Sequence, residues 1–217
     1  MGALKIRIRS VNVATPKRLG IENGETLLSA IDKKPVAEAH IAVGDINLKG
    51  DDQANRAVHG GPDKAVYAYP SEHWPWWEKE HGIACRPGGF GENLTLEGAG
   101  ETMVAIGDRF QWGEAVLEIA QPRVPCNKFV LHLKRADAGA LMTISARSGW
   151  YFRVVETGIA PVTDGWLERV FESGGPTVRE AFHAVFDKKT PTGRRREVYD
   201  AQGLSEAWRK RLRDAGL

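Results

Sequence analysis

Short segments in which apolar residues recur at every second position, broken by glycine and proline, leave this chain few architectures. From Leu4 to Val13 the apolar Leu4, Ile6 and Ile8 alternate with Lys5, Arg7 and Arg9, the period that puts successive side chains on opposite faces of a strand. Ala39, Ile41 and Val43, then Ile46 and Leu48, repeat the pattern. Between the two segments Pro16, Gly20, Asn23, Gly24 and Pro35 supply the breakers of a loop or hairpin region. Further strand candidates are Ala65 to Tyr69, Asn93 to Leu96, Met103 to Trp112, Ala115 to Ala120, Trp150 to Glu156 and Trp166 to Phe171. Helical segments interrupt these strands without alternating with every one, which disfavours a doubly wound parallel sheet. The pattern predicts a mainly β chain with α: an antiparallel β-barrel core with interspersed helices.

One helix is expected from Ser71, a suitable N-cap, through Trp74, Trp76 and Trp77, and another over Arg135 to Arg147. The tryptophan cluster reads as buried packing, since large aromatic side chains carry much apolar area. After the breaker Ser173 to Pro176 the chain turns helical. Thr177 and Glu180 have capping-box spacing, and Val178, Ala181, Phe182, Val185 and Phe186 follow the helical period. Two more short helices are expected at Arg194 to Ala201 and Ser205 to Asp214, the last with Leu204, Trp208 and Leu212 on one face. The expected organisation is a barrel domain over 1–172 and a small C-terminal helical extension over 173–217.

With 42% hydrophobic and 27% charged residues the composition is that of a globular chain. The first residues alternate charge with apolar side chains, unlike the unbroken apolar run of roughly 7 to 15 residues in an export signal, and no run approaches the ~20 needed to span a bilayer. The expected location is cytoplasmic, without membrane contact. Net charge is +2, and the basic surplus sits at the end: from Ala184 to Leu217 nine Lys or Arg stand against five Asp or Glu. Basic residues on the polar face of a terminal helix are commonly solvated, and no DNA- or RNA-binding motif accompanies them, so nucleic acid is not the expected partner.

In a reducing cytoplasm a disulfide between Cys85 and Cys126 is disfavoured. Zinc is disfavoured too, because the chain has neither a CxxC pair nor HExxH spacing. Cys85 reads as an ordinary loop residue. Cys126, in Gln121-Pro122-Arg123-Val124-Pro125-Cys126-Asn127-Lys128, is different. Pro122 and Pro125 restrict the backbone around it, and Arg123 and Lys128 supply the cationic surroundings that favour a thiolate, which is both nucleophile and metal ligand. Inert packing is the bland alternative. Three other polar stretches at strand boundaries are candidates for the same cleft. Around His59, Gly60 and Gly61 allow close backbone approach to an anion, and Lys64 could neutralise a phosphate. Phe90-Gly91-Glu92-Asn93 combines an aromatic anchor, a flexible point, a carboxylate and an amide, whereas Gly107-Asp108 reads as a plain turn. Residue types alone leave open a Cys126–His59 nucleophilic pair and a soft-metal site anchored by the Cys126 thiolate.

Taken in order, Gly50-Asp51, Ala57-Val58-His59-Gly60-Gly61-Pro62-Asp63-Lys64-Ala65-Val66-Tyr67, Phe90-Gly91-Glu92-Asn93-Leu94, Ile106-Gly107-Asp108 and Gln121-Pro122-Arg123-Val124-Pro125-Cys126 resemble the MOSC domain family, named for the molybdenum cofactor sulfurase C-terminus. The match runs roughly from Ala39 to Phe171. Ser148-Gly149-Trp150-Tyr151 and the tail around Leu204-Ser205-Glu206-Ala207-Trp208 extend it to the YiiM-like stand-alone branch. The resemblance implies a MOSC-type β-barrel, a molybdenum cofactor (molybdopterin) in a cleft, and Cys126 as the thiolate ligand to molybdenum. It also implies reduction of N-hydroxylated bases, 6-hydroxylaminopurine being the best known, by N–O cleavage. On that basis Arg123, Lys64 and Lys128 are candidates for the cofactor's phosphate, and His59 and Asn93 for the pterin or for orienting substrate. The expected partners are a small N-hydroxylated substrate and an electron-donating reductase, the chain lacking a GxGxxG fingerprint of its own. Pyridoxal phosphate, which belongs to fused sulfurase domains, is not expected. A cofactor or sulfur carrier would use the same residues, and a nucleic-acid accessory module would use the basic tail. The chain departs from the family at Asn127, where an aromatic residue is frequent, and at Thr163-Asp164-Gly165, where the late Gly-Asp turn is blurred.

Overall fold

The structure is a computed structural model that describes residues 4–22, 24–52 and 61–217. Its strands are β1 (Lys5–Val13), β2 (Lys17–Glu22), β3 (Glu25–Ser29), β4 (Lys34–Pro35), β5 (His40–Val43), β6 (Val66–Pro70), β7 (Leu94–Glu97), β8 (Arg109–Trp112), β9 (Ala115–Pro122), β10 (Trp150–Glu156), β11 (Gly158–Pro161) and β12 (Trp166–Phe171). The helices among the described residues are α1 (Trp74–His81), α2 (Asn127–Leu133), α3 (Ala138–Ser145), α4 (Val178–Phe186), α5 (Thr192–Asp200) and α6 (Glu206–Asp214). None is long and apolar enough to cross a membrane.

Seven strands close a ring in the order β1-β12-β8-β9-β10-β6-β7 and back to β1. Closure pairs every strand on both sides and leaves no edge exposed. The alternation in β1 sets which side chains face inward: Ile6 and Ile8 are buried while Lys5 and Arg7 are exposed. A register shift against β7 between Ile8 and Ser10 then moves the phase by one, so Val11 is the next buried residue. One pairing departs from the antiparallel expectation. β6 and β7 run parallel, because the connection between them crosses over through α1 instead of turning back as a hairpin.

The predicted strand from Met103 to Trp112 is shortened to β8. The Asp108 carboxylate accepts hydrogen bonds from the backbone of Ala105 (3.0 Å) and Ser173 (2.8 Å), which holds residues up to Gly107 in turns. The helix predicted over Arg135 to Arg147 is the shorter α3, and α2 begins directly after Cys126.

The tail helices pack onto the barrel. β9 is buried along its whole length, because α4 and the start of α6 cover its outer side. Ser205 N donates to Ala120 O (3.0 Å), Ser205 Oγ to Gln121 Oε1 (2.7 Å), and Trp208 Nε1 to Ala181 O (3.2 Å). Val178, Phe182, Trp208 and Leu212 belong to the same apolar cluster as Ile6, Leu117 and Phe152 of the barrel. The capping box is present in both directions: the Thr177 side chain accepts from Glu180 N, and the Glu180 side chain accepts from Thr177 N.

Candidate functional site

Cys126 follows β9 and is the N-cap residue of α2. Its backbone is extended (φ −128°, ψ 169°) and its carbonyl accepts from the amide of Phe129 (3.0 Å). The Pro-flanked segment cannot enter the helix earlier. Phe129, fully buried beside Phe90 and Trp77, anchors the new helix from below. Just upstream, the amide of Arg123 donates to Gly149 O (3.3 Å), prolonging the β9–β10 contact beyond its last pair, Trp150 with Pro122. That approach requires glycine. Gly149 has φ 64°, and a Cβ there would stand 2.2 Å from Ala68 O.

The half-buried Cys126 thiol opens into a cleft of about 100 Å³ at this end of the barrel. Lys64, Asn93, Arg123 and Lys128 line the same cleft. His59 lies outside the described residues. Thus Lys64 from the turn before β6, Asn93 from the start of β7 and the three residues after β9 converge on one place, although 64 positions separate Lys64 from Lys128.

Arg123 is the most unusual of them. Its side chain is buried, with its guanidinium 5.1 Å from the centre of the Tyr67 ring and 4.7 Å from that of Phe129, and Nη1 3.3 Å from Met142 Sδ. Rings and a thioether supply attraction for a cation, yet no carboxylate among the described residues lies within ion-pair distance of it. A buried positive charge that faces a cleft and lacks an anionic partner there favours an anionic ligand. Burial works against the guanidinium charge, but Tyr67, Tyr151 and Cys126 nearby outweigh it and keep its pKa above the usual arginine value.

The opposite wall is a charged network that sequence reasoning missed in part. The Lys33 ammonium pairs with Asp51 Oδ1, both side chains buried. Asp51 also accepts from Ala14 N and from Asn93 Nδ2, each at 2.9 Å. Asn93 in turn donates to Asn12 O (3.2 Å) and accepts from Tyr67 N (3.0 Å), so its amide ties β1, β6 and β7 together at the cleft. Burial lowers the Lys33 pKa in spite of Asp51. Nothing in the sequence around Lys33 marks it: Asp32-Lys33-Lys34 reads as a solvated loop, and only the packing shows which lysine turns inward. The rings of Tyr67 and Tyr151, which both line the cleft, lie 5.1 Å apart with their planes inclined at 36°; burial holds the Tyr67 pKa well above that of a free phenol. Both stood in quoted motifs but were not singled out.

Glu92 is turned away from the cleft. It is fully buried and accepts from Gly88 N (2.8 Å), Phe90 N (2.9 Å) and the Thr95 hydroxyl (2.7 Å), which fixes the glycine-rich loop. Burial pushes its carboxyl up to about 7. Cys85 is a free thiol whose pKa is pushed up to about 12 by burial, with Glu78 and Glu92 adding to the effect, and it does not line the cleft. Among the described residues no three His, Cys, Asp or Glu side chains gather into a metal-binding group. A metal held at Cys126 would therefore draw one soft donor from these residues and its other donors from a ligand.

A closed barrel with one thiol facing a cleft lined by lysine and arginine defines the class. Residues 55–166 match the sequence model of the MOSC domain, and the chain belongs to the MOSC domain family. Its relatives make the placement finer. A protein named YiiM from Escherichia coli strain K12 is 34% identical over 211 residues, covering 95% of this chain and 92% of that protein. The crystal structure of YiiM from Geobacillus stearothermophilus superposes with a TM-score of 0.80 at 30% identity, covering 97% of this chain and 98% of the other. A Gibberella moniliformis protein named as a reductase is 36% identical over 115 residues, 50% of this chain and 20% of that much longer protein.

Proposed function

We propose that this cleft binds the molybdenum cofactor and that the chain reduces small N-hydroxylated compounds, bases such as 6-hydroxylaminopurine among them, by cleaving the N–O bond. The observation that carries the reading is the convergence of a half-buried thiol, Cys126, with Arg123, Lys64 and Lys128 on one cleft. The donor set fits the group: a thiolate suits molybdenum, and a buried guanidinium without a carboxylate partner among the described residues suits a phosphate. Membership of the MOSC family and the reductase-named relative support the same reading.

When bound, the molybdenum cofactor supplies the two-electron chemistry that the reaction requires. The protein's residues do the rest. Cys126 would be the thiolate ligand to molybdenum and the residue closest to the chemistry. Arg123, Lys64 and Lys128 would neutralise the phosphate, and Asn93, held by Asp51 and the Asn12 carbonyl, keeps its wall of the cleft in one orientation. Tyr151, half-buried at the cleft, offers a planar base an aromatic ring to pack against. The overall change takes R–NHOH, two electrons and two protons to R–NH2 and water. The electrons come from a separate reductase protein, and the setting is cytoplasmic.

The test is elemental analysis after expression in a host that makes the cofactor. Molybdenum near one per chain in the wild type and its loss in Cys126→Ser is the expected result; full molybdenum in Cys126→Ser sinks the thiolate role. Cofactor-loaded protein kept reduced by an excess of a chemical reductant such as dithionite should convert 6-hydroxylaminopurine to adenine over many equivalents, beyond a control without protein, and its failure to do so would point to a cofactor carrier.

A further inference from the structure

Cys126 borders a second hollow, of about 370 Å³, which among the described residues shares only Lys64, Cys126 and Tyr151 with the cleft described above. Its outer wall is α6. Ala207, Lys210, Arg211 and Asp214 line it, and their spacing of 0, 3, 4 and 7 makes them one stripe of the helix. The neighbouring stripe, Trp208 and Leu212, is buried in the core, so the packing that docks α6 also fixes which face meets the hollow.

The basic tail is mostly consumed within itself. Arg209 donates to the carbonyls of Tyr199 and Ala201, each at 3.0 Å. Arg213 bonds Glu206 Oε1 (2.7 Å) and the Tyr199 hydroxyl (2.9 Å). Arg195 donates to the carbonyls of Ala215 and Asp187, and Arg194 pairs with Glu180 and Glu197. In the hollow, Lys210 is engaged by Asp214 at 2.7 Å. Arg211 has no carboxylate within ion-pair distance among the described residues. It stands near enough to Lys64 that, after burial, its charge is the next cause lowering the Lys64 pKa, with Asp63 opposing. Arg211 is exposed and lines the hollow, so its guanidinium is open to a ligand that enters from solvent.

We infer that this hollow is a substrate subsite in which Arg211 recognises an anionic group, so that the preferred substrates are N-hydroxylated bases that carry a phosphate, as nucleotides do. The inference rests on the reductive reading above and names its substrate class. A guanidinium fork matches a phosphate in geometry as well as charge. The N–O bond is broken with two electrons from the reductase and two protons, giving the amine and water, and the phosphate leaves unchanged.

Titration calorimetry with adenosine 5′-monophosphate, adenosine and inorganic phosphate on the full chain tests it without any turnover, so its failure is separate from that of the molybdenum or adenine assays. The monophosphate should bind at least about tenfold more tightly than adenosine, the effect of one charged hydrogen-bonded contact. Arg211→Gln should abolish that difference, Arg211→Lys should restore part of it, and the exposed control Lys188→Gln should keep it. Equal affinity for nucleotide and nucleoside in the wild type, or an undiminished difference in Arg211→Gln, overturns the inference. So does inorganic phosphate binding as tightly as the monophosphate, because the hollow would then read a free anion.

Discussion

Replacing Asp51 with asparagine tests the charged wall of the cleft. The substitution keeps the side chain's size and removes its charge, leaving the Lys33 ammonium, 7% exposed, without its partner. Breaking a buried ion pair in this way costs about 3–5 kcal/mol. The geometry adds to the loss, because Asp51 accepts from Ala14 N, Asn93 Nδ2 and Lys33, and an amide would turn one of its own donors toward a donor. Lys33 can relieve part of the cost by giving up its proton, which burial already favours. An unfolded lysine titrates near 10.4. Between the lowered folded value and that point the unfolded state holds more protons, so stability rises with pH. Without Asp51 the folded value falls further and the window widens. Urea unfolding followed by tryptophan fluorescence should therefore show a midpoint lowered by about 1.5–2.5 M at pH 7, for m near 2 kcal/mol/M, and a smaller deficit at pH 9.5. The double variant Lys33→Met, Asp51→Asn should lose less than Asp51→Asn alone. A deficit below about 1 kcal/mol at pH 7, or one that grows with pH, would refute the reasoning.

Gly149→Ala should cost at least about 3 kcal/mol in the same assay, since a left-handed L-residue is penalised by roughly 1–2 kcal/mol before the added carbon is accommodated against Ala68 O; a loss under 1 kcal/mol would show that the β6–β10 approach is not as tight as described. Glu92, raised from 4.5 to about 7, holds more protons folded than unfolded between those values, so it withdraws up to about 3 kcal/mol of stability as pH rises through that window. Glu92→Gln should lack this component, and an unchanged difference between pH 5 and pH 8 midpoints would contradict it. Iodoacetamide at pH 8, followed by peptide mass mapping, should leave Cys85 unmodified, its thiol being pushed up to about 12; rapid labelling of native Cys85 would overturn that account of its burial.

Much of the fold was legible because local chemistry specified it. The alternation in β1, the strand β12 and the helix α4 with its capping box followed from residue spacing alone, and Leu204, Trp208 and Leu212 are buried as their shared face required. Helix α2 was not legible. It has no side-chain cap and no acidic first turn, and it is held by the burial of Phe129 against rings that arrive from α1 and the glycine-rich loop. The parallel pairing of β6 with β7 was hidden for a related reason, since period-two patterning says which residues form a strand and nothing about the direction of its neighbour.

The sequence by itself determined the strand and helix periods, the turn positions and, through five ordered motifs, the family. Tertiary structure alone decided which charges meet. Lys33, Lys64, Arg123 and Arg211 are lysines and arginines like the rest in the chain. What separates Lys33 and Arg123 is burial, and what separates Lys64 and Arg211 is their place on the hollow beside the cleft; each depends on contacts between residues far apart in sequence. Packing at the end of the barrel brings Lys33 onto Asp51 and leaves Arg123 among rings, and docking α6 sets Arg211 on the same hollow as Cys126 while Arg209 and Arg213 are spent on the tail itself.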